Sequence, residues 1–167
     1  MLNNLKKSEN RIENSNQFIV FILNQQKFGI NILQSREVII ASDLTSIPRS
    51  PDFIGGVINL REEIIPIIDL AKRFNLQKEL KSEDDEVIII SVNNTLIGLK
   101  VKEVEDIKKI EPDKINKAPE VTQGINQDYI QGIARLDNEL IILININSIF
   151  SSEEINQMQD LEAEDKK

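Results

Sequence analysis

The chain has 167 residues, enough for one domain or two small ones, and 40% of them are hydrophobic while only 4% are aromatic, so its core must be aliphatic. A net charge of −8 opposes binding to nucleic acid or an anionic membrane surface. The chain has neither Cys nor His, which excludes disulfides, thiol chemistry and every Ser-His or Cys-His nucleophile pair and permits the cytoplasm.

Residues 1–16 have no apolar stretch of the secretory kind and read as a flexible polar tail; no apolar run approaches the roughly 20 residues of a spanning helix. A cytoplasmic protein is expected. Strands are predicted at 18–23 and 27–32 around a turn at Asn24-Gln25-Gln26, and a third at 36–40. Residues 42–52 contain Pro48 and Pro51 and read as a loop. A hairpin follows at 54–60 and 63–68 with Arg61-Glu62 at its tip. Pro66 donates no ladder bond, which predicts an edge or a bulge there. Asp69 is placed to cap a short helix over 70–75.

The segment 76–85 is polar and charged and separates this unit from a second with the same order: strands at 87–92, 96–101 and 104–110, a loop with Pro112 and Pro119, then a hairpin at 130–136 and 139–144 turning at Asp137-Asn138. Asn145 stands where Asp69 stood. Ser151 and Glu154 form a capping box, and Phe150 with Ile155 a hydrophobic staple, so a C-terminal helix is predicted over 152–161.

The two units are copies. Residues 18–38 align without a gap onto 87–107, Gly29 falling on Gly98 at an offset of 69. Residues 53–74 align onto 129–150 at an offset of 76, Gly56 falling on Gly132 and Glu63 on Glu139. Five Gly-punctuated antiparallel strands per unit predict two small SH3-like barrels. Each is marginal alone, so a shared aliphatic interface with a groove between the barrels is expected. The division is a tail at 1–16, a first barrel at 17–77, a charged linker at 78–86, a second barrel at 87–150 and a C-terminal helix and acidic tail at 151–167.

Catalytic signals are sparse. Glu83-Asp84-Asp85-Glu86 is the densest carboxylate run, but its members are adjacent, lack the spacing of a calcium loop, and read as a solvated linker. Gly55-Gly56 precedes a strand rather than a helix, so it is no phosphate loop. The matched Gly56 and Gly132 instead mark a bulge or a close backbone approach in both units, and Gly29 and Gly98 sharp bends. Arg61 at a hairpin tip and Glu37 on the third strand read as surface residues whose ion pair, if exposed, contributes only about 0–1 kcal/mol. No metal or cofactor is expected. A carboxylate enzyme and an RNA-binding barrel are the rivals from other classes.

The runs FGINILQSREVI and FIGGVINLREEIIPIIDL, followed by LIGLKVKEVEDI and YIQGIARLDNELIILINI in the second unit, resemble the CheW family of bacterial chemotaxis coupling proteins over nearly the whole chain. The resemblance implies an all-β fold of two intertwined five-stranded SH3-like barrels with short helices. It implies no enzymatic activity. It further implies a cytoplasmic adaptor, recruited to membrane-associated arrays, that couples chemoreceptor cytoplasmic tips to the regulatory domain of the histidine kinase CheA; a scaffold for a specialised sensory system is the alternative. On the same ground Glu37, Val38, Arg61, Gly98 and Ile107 are expected at the receptor site. Ser35, Gly55, Gly56, Glu120 and Val121 are expected at the kinase contacts. The family's usual Gly after Asn-Leu-Arg is Glu62 here, and a turn needing positive φ would strain it, so another turn or a shifted Arg61 is expected.

Overall fold

The structure is a computed structural model that describes residues 16–40, 44–46, 51–76, 85–118 and 125–165. The expectations for residues 1–15, for Glu120 and Val121, and for the linker from 78 to 84 lie outside these. Eleven strands are described: β1 Gln17–Leu23, β2 Gln26–Asn31, β3 Ser35–Ile40, β4 Ile54–Leu60, β5 Glu63–Asp69, β6 Glu86–Val92, β7 Thr95–Val101, β8 Glu103–Lys109, β9 Ile115–Asn116, β10 Ile130–Leu136 and β11 Glu139–Ile144. Three α-helices are described: α1 Leu70–Arg73 after β5, α2 Ile146–Ile149 after β11, and α3 Ser152–Asp165 after α2.

The strands form two sheets, and the sheets do not follow the division of the chain into 17–77 and 87–150. One sheet has the order β8-β1-β2-β11-β10-β9 and the other β3-β6-β7-β5-β4. Each unit therefore lends its first hairpin to the other unit's later strands. The lent hairpins join through parallel pairings, Gly29 with Leu143 and Gly98 with Ile67. These pairs are themselves equivalent under the offsets of 69 and 76. The intertwining that the resemblance implied is this exchange.

Strand alternation explains why the exchange is stable. On β1, Phe18 and Val20 face one way, into a cluster with Ile141, Leu143 and Ala134 inside the first sheet. Ile19, Phe21 and Leu23 face the other way, into a larger cluster that also takes Ile88, Ile90, Leu99, Phe74 and Ile155. On β6, Val87 and Ile89 fill the inside of the second sheet with Ile58, Ile65 and Ile67, while Ile88 and Ile90 join the shared cluster. Both faces of these strands are apolar because both are buried. The expected aliphatic interface is thus a third core, sandwiched between two smaller ones.

Glycines sit where the cores leave no room. A Cβ on Gly98 would lie 2.3 Å from Ile67 Cδ1 and 2.7 Å from Val87 Cγ1. Gly56 and Gly132 fall at register shifts of the β4–β5 and β10–β11 ladders, and each closely approaches a neighbouring backbone, Thr45 and Asn116 respectively. The predicted bulge and close approach are both present.

Some local expectations change. β5 is an interior strand, so Pro66 is not at an edge; it is tolerated because the parallel ladder to β7 begins one residue later, at Ile67. Asp69 caps α1 through Lys72 N, but Asn145 makes no side-chain cap bond to α2. The capping box forms in full: Glu154 N donates to Ser151 Oγ at 3.1 Å and Ser151 N to Glu154 Oε1 at 2.9 Å. Asp85 and Glu86 are not solvated linker. Asp85 is buried beside Lys102, and Glu86 Oε1 accepts from Val104 N at 3.0 Å.

All four two-residue hairpins carry positive φ at both tip residues. Asn24-Gln25, Asn93-Asn94 and Asp137-Asn138 include residues that tolerate this region, whereas Arg61-Glu62, at 51° and 70°, does not. The tip keeps its turn and bears the strain. Glu62→Gly is therefore expected to stabilise the fold by about 0.5–1 kcal/mol, the left-handed penalty less the added backbone freedom of the unfolded chain. A urea titration would read this as a raised midpoint at unchanged slope; a lowered midpoint would contradict it.

Candidate functional site: a groove between two edge strands

β3 and β8 are edge strands of different sheets and are equivalent under the 69-residue offset. Val38 pairs with Ile88 on β6, and Ile107 pairs with Ile19 on β1. The floor residues Ile19 and Ile88 belong to the shared core. Residues opposite one another on paired strands point to the same face, so Val38 and Ile107 face the seam between the sheets. Yet they are 38% and 51% exposed. They are large apolar side chains left uncovered above an apolar layer, which makes the two strands candidate walls of a groove.

On the face of β3 opposite Val38, where Glu37 is paired with Ile89, the strand meets the β4–β5 tip. Arg61 Nη2 donates to Glu37 Oε2 at 3.1 Å, with Arg61 78% and Glu37 29% exposed. The contact joins one edge strand of the second sheet to the hairpin at its other edge. An ion pair this exposed contributes only about 0–1 kcal/mol, so the guanidinium is held in place without being used up.

The predicted site residues separate into groups. Glu37 and Arg61 come together, and Val38 and Ile107 are exposed at equivalent places on the two edge strands. Gly98 does not reach that surface, because it is buried in the middle of β7 with its missing side chain turned into the core of the second sheet. Ser35 is half-buried at the start of β3, where its hydroxyl donates to Ile32 O at 2.9 Å. Gly55 is exposed on β4, but Gly56 lies under Leu44 and Thr45. A partner on that face would meet Gly55 and not Gly56.

Sequence reasoning passed over Ile40, which is 60% exposed two residues beyond Val38 on the same face of β3. Strand periodicity was a sufficient signal for it. It also passed over an ion cluster on the first sheet. Lys27 Nζ meets Glu139 at 2.7 Å and Glu105 at 2.9 Å, and Lys108 meets Glu139 at 3.2 Å. The two lysine hydrogen bonds, Lys27 first, hold the Glu139 carboxyl below its usual range, and Glu139 with Glu105 holds Lys27 above its own. Among the described residues no group of three His, Cys, Asp or Glu could hold a metal ion, and no helix is long and apolar enough to cross a membrane. What this geometry offers is a recognition surface.

Known proteins place the chain in a class. The profile of the CheW-like domain matches residues 17–154. The chain is 31% identical to the chemotaxis protein CheW of Treponema pallidum (strain Nichols), over 87% of this chain and 88% of that one. It is 34% identical to CheW of Klebsiella aerogenes, over 83% and 84%. The crystal structure of the scaffolding protein TtCheW from Thermoanaerobacter tengcongensis superposes with a TM-score of 0.76 at 36% identity, covering 84% of this chain and 90% of that one. The chain belongs to the CheW-like family, and it is a non-enzymatic chemotaxis adaptor.

Proposed function

We propose that this adaptor couples chemoreceptor cytoplasmic tips to the histidine kinase CheA, and that the groove between β3 and β8 receives the receptor. The observation that carries the reading is the pair Val38 and Ile107, equivalent residues on two edge strands, uncovered over an apolar floor. An apolar groove of this kind accepts the apolar face of a helix. Arg61, positioned by Glu37 on the other face of β3, would supply a directed cation to a receptor that reaches past that strand. The kinase's regulatory domain would dock on the outer surface at exposed Gly55 and also reach Ser35; Glu120 and Val121 belong to the second proposed kinase contact. Binding both partners at once raises their effective concentration for each other, and it would bring the adaptor from the cytoplasm to receptor arrays.

The test is a titration of the full chain against an isolated receptor tip and, separately, the isolated regulatory domain of CheA. Val38→Glu and Ile107→Glu each place a charge where apolar burial is worth about 1.5–3 kcal/mol, so receptor affinity should fall at least about tenfold. Kinase affinity should stay within about twofold, because neither side chain lies on the outer surface. Arg61→Ala should also weaken the receptor arm alone. Failure of the wild-type chain to bind either partner would reject the adaptor reading. Loss of the kinase arm in Val38→Glu would move the groove to the kinase.

A further inference from the structure

We infer that the groove has a direction: it distinguishes the two ends of the helix it holds, through Ile40 at one end and Lys109 at the other. This rests on the reading of the groove as a helix receptor.

The two walls are related by the internal repeat, so an unbiased groove would accept a helix either way round. Their register is equivalent pair by pair: Val38 with Ile88 matches Ile107 with Ile19, and Ile40 with Glu86 matches Lys109 with Gln17. The relative direction of the walls follows from one hydrogen bond. Glu86, paired with Ile40 at the end of β3, accepts from Val104 N near the start of β8. The end of one wall therefore lies by the start of the other, so two walls that flank one groove run antiparallel along it, with Ile40 and Lys109 at opposite ends. Both share the groove-facing side of their strands, two residues beyond Val38 and Ile107. At these equivalent positions the repeat is broken, with an exposed aliphatic side chain on β3 and an ammonium on β8.

Lys109 is available to a partner. Its contact with Glu111 is 3.5 Å long, with side chains 59% and 52% exposed, a pair that exchanges readily for another carboxylate. The six residues of β3 span about 20 Å, which matches about 13 residues of helix. The partner that fits is an amphipathic helix of that length whose apolar stripe ends, at one end only, in a carboxylate. The carboxylate meets Lys109 and the apolar end covers Ile40.

The experiment uses ¹⁵N-labelled full chain and two synthetic amphipathic helices of about 18 residues. They have identical composition and a leucine stripe closed by one glutamate, at the amino end in one and at the carboxyl end in the other. Each carries a nitroxide at its amino end. The label on the first should broaden the Lys109 amide more than the Ile40 amide, with about a three- to fivefold population bias, which is what an exposed ion pair supplies. The second should reverse the bias. Lys109→Ile, which makes the groove ends alike, should abolish it in both. Equal broadening at the two ends in the wild type, or a bias that survives Lys109→Ile, overturns the inference while leaving the groove as a helix site. Absence of broadening along both strands overturns the groove reading and this inference with it.

Discussion

Arg73→Ala should cost about 2–4 kcal/mol of folding stability and release α3 before the rest of the molecule unfolds. Arg73 Nη1 and Nη2 clasp the two Glu154 oxygens at 2.7 and 2.5 Å, and Nε and Nη2 donate to Ile149 O at 3.1 and 2.7 Å. Its guanidinium also lies 5.4–5.9 Å from the rings of Phe53, Tyr129 and Phe150. One side chain thus ties α1 to the end of α2 and the first turn of α3. Its removal leaves a half-buried carboxylate and a carbonyl without their donor. Arg73→Lys should recover little, since an ammonium cannot form the fork. Urea unfolding, with hydrogen exchange across α3, reads both effects; a loss under about 1 kcal/mol would show that the clasp is not structural.

The same clasp has a pH signature. Burial pushes the Glu154 carboxyl up, but the Arg73 hydrogen bond and the Ser151 backbone N–H pull it down further, so its net position is below the ordinary 4.5. A depressed folded value means the stabilisation is fully present above the unfolded value and is lost as pH falls through the folded one. The stability difference between wild type and Glu154→Gln should therefore be constant near neutrality and shrink on acidification below about 4.5.

Gly98→Val should be the most damaging single change on β7, at about 3 kcal/mol or more. Its Cβ would fall within 2.7 Å of both Ile67 and Val87 in a central strand whose neighbours β5 and β6 are fixed on either side. Gly98→Ala is milder, because the nearest atom is the mobile end of Ile67. Where the alanine variant is folded, its receptor-tip affinity should match wild type within about twofold, in contrast to Val38→Glu. A stable Gly98→Val that had lost only receptor binding would return Gly98 to the contact surface.

That contrast marks what the sequence could and could not convey. Strand positions, hairpin tips, the capping box and the paired bulges were legible because each is encoded within a few residues: period-two alternation, Asn or Asp at turns, Ser three before Glu. The Gly29–Gly98 match revealed the repeat, but not that β2 and β7 are lent to the opposite unit, since a parallel pairing such as Gly29 with Leu143 leaves no local mark. Family likeness put Gly98 at the receptor site. Its buried position shows a packing constraint that a conserved-looking glycine resembles equally well. That Val38 and Ile107 lie on equivalent edge strands was legible in the repeat, whereas their exposure over an apolar layer needed the register of both strands. Arg73 was silent because an arginine in a four-residue helix looks like any solvated cation until three aromatic rings are placed around it.

The strand exchange also dictates an order of events during synthesis. The second sheet is complete once Val101 has been made, because β3 to β7 are consecutive in the chain. The first sheet is not: β1 and β2 are the earliest strands to emerge, yet β11, which flanks β2, ends at Ile144. At about 5–20 residues per second the leading hairpin, finished at Asn31, waits roughly 6–23 s for that neighbour. During that interval Phe21, Phe28 and Ile30 can be covered by Phe74, by the second sheet and, once Lys109 is made, by β8 on the other side of β1, but β2 still has one edge without its partner strand. The molecule is thus built from its middle outward, and its oldest strands are among the last to find their place.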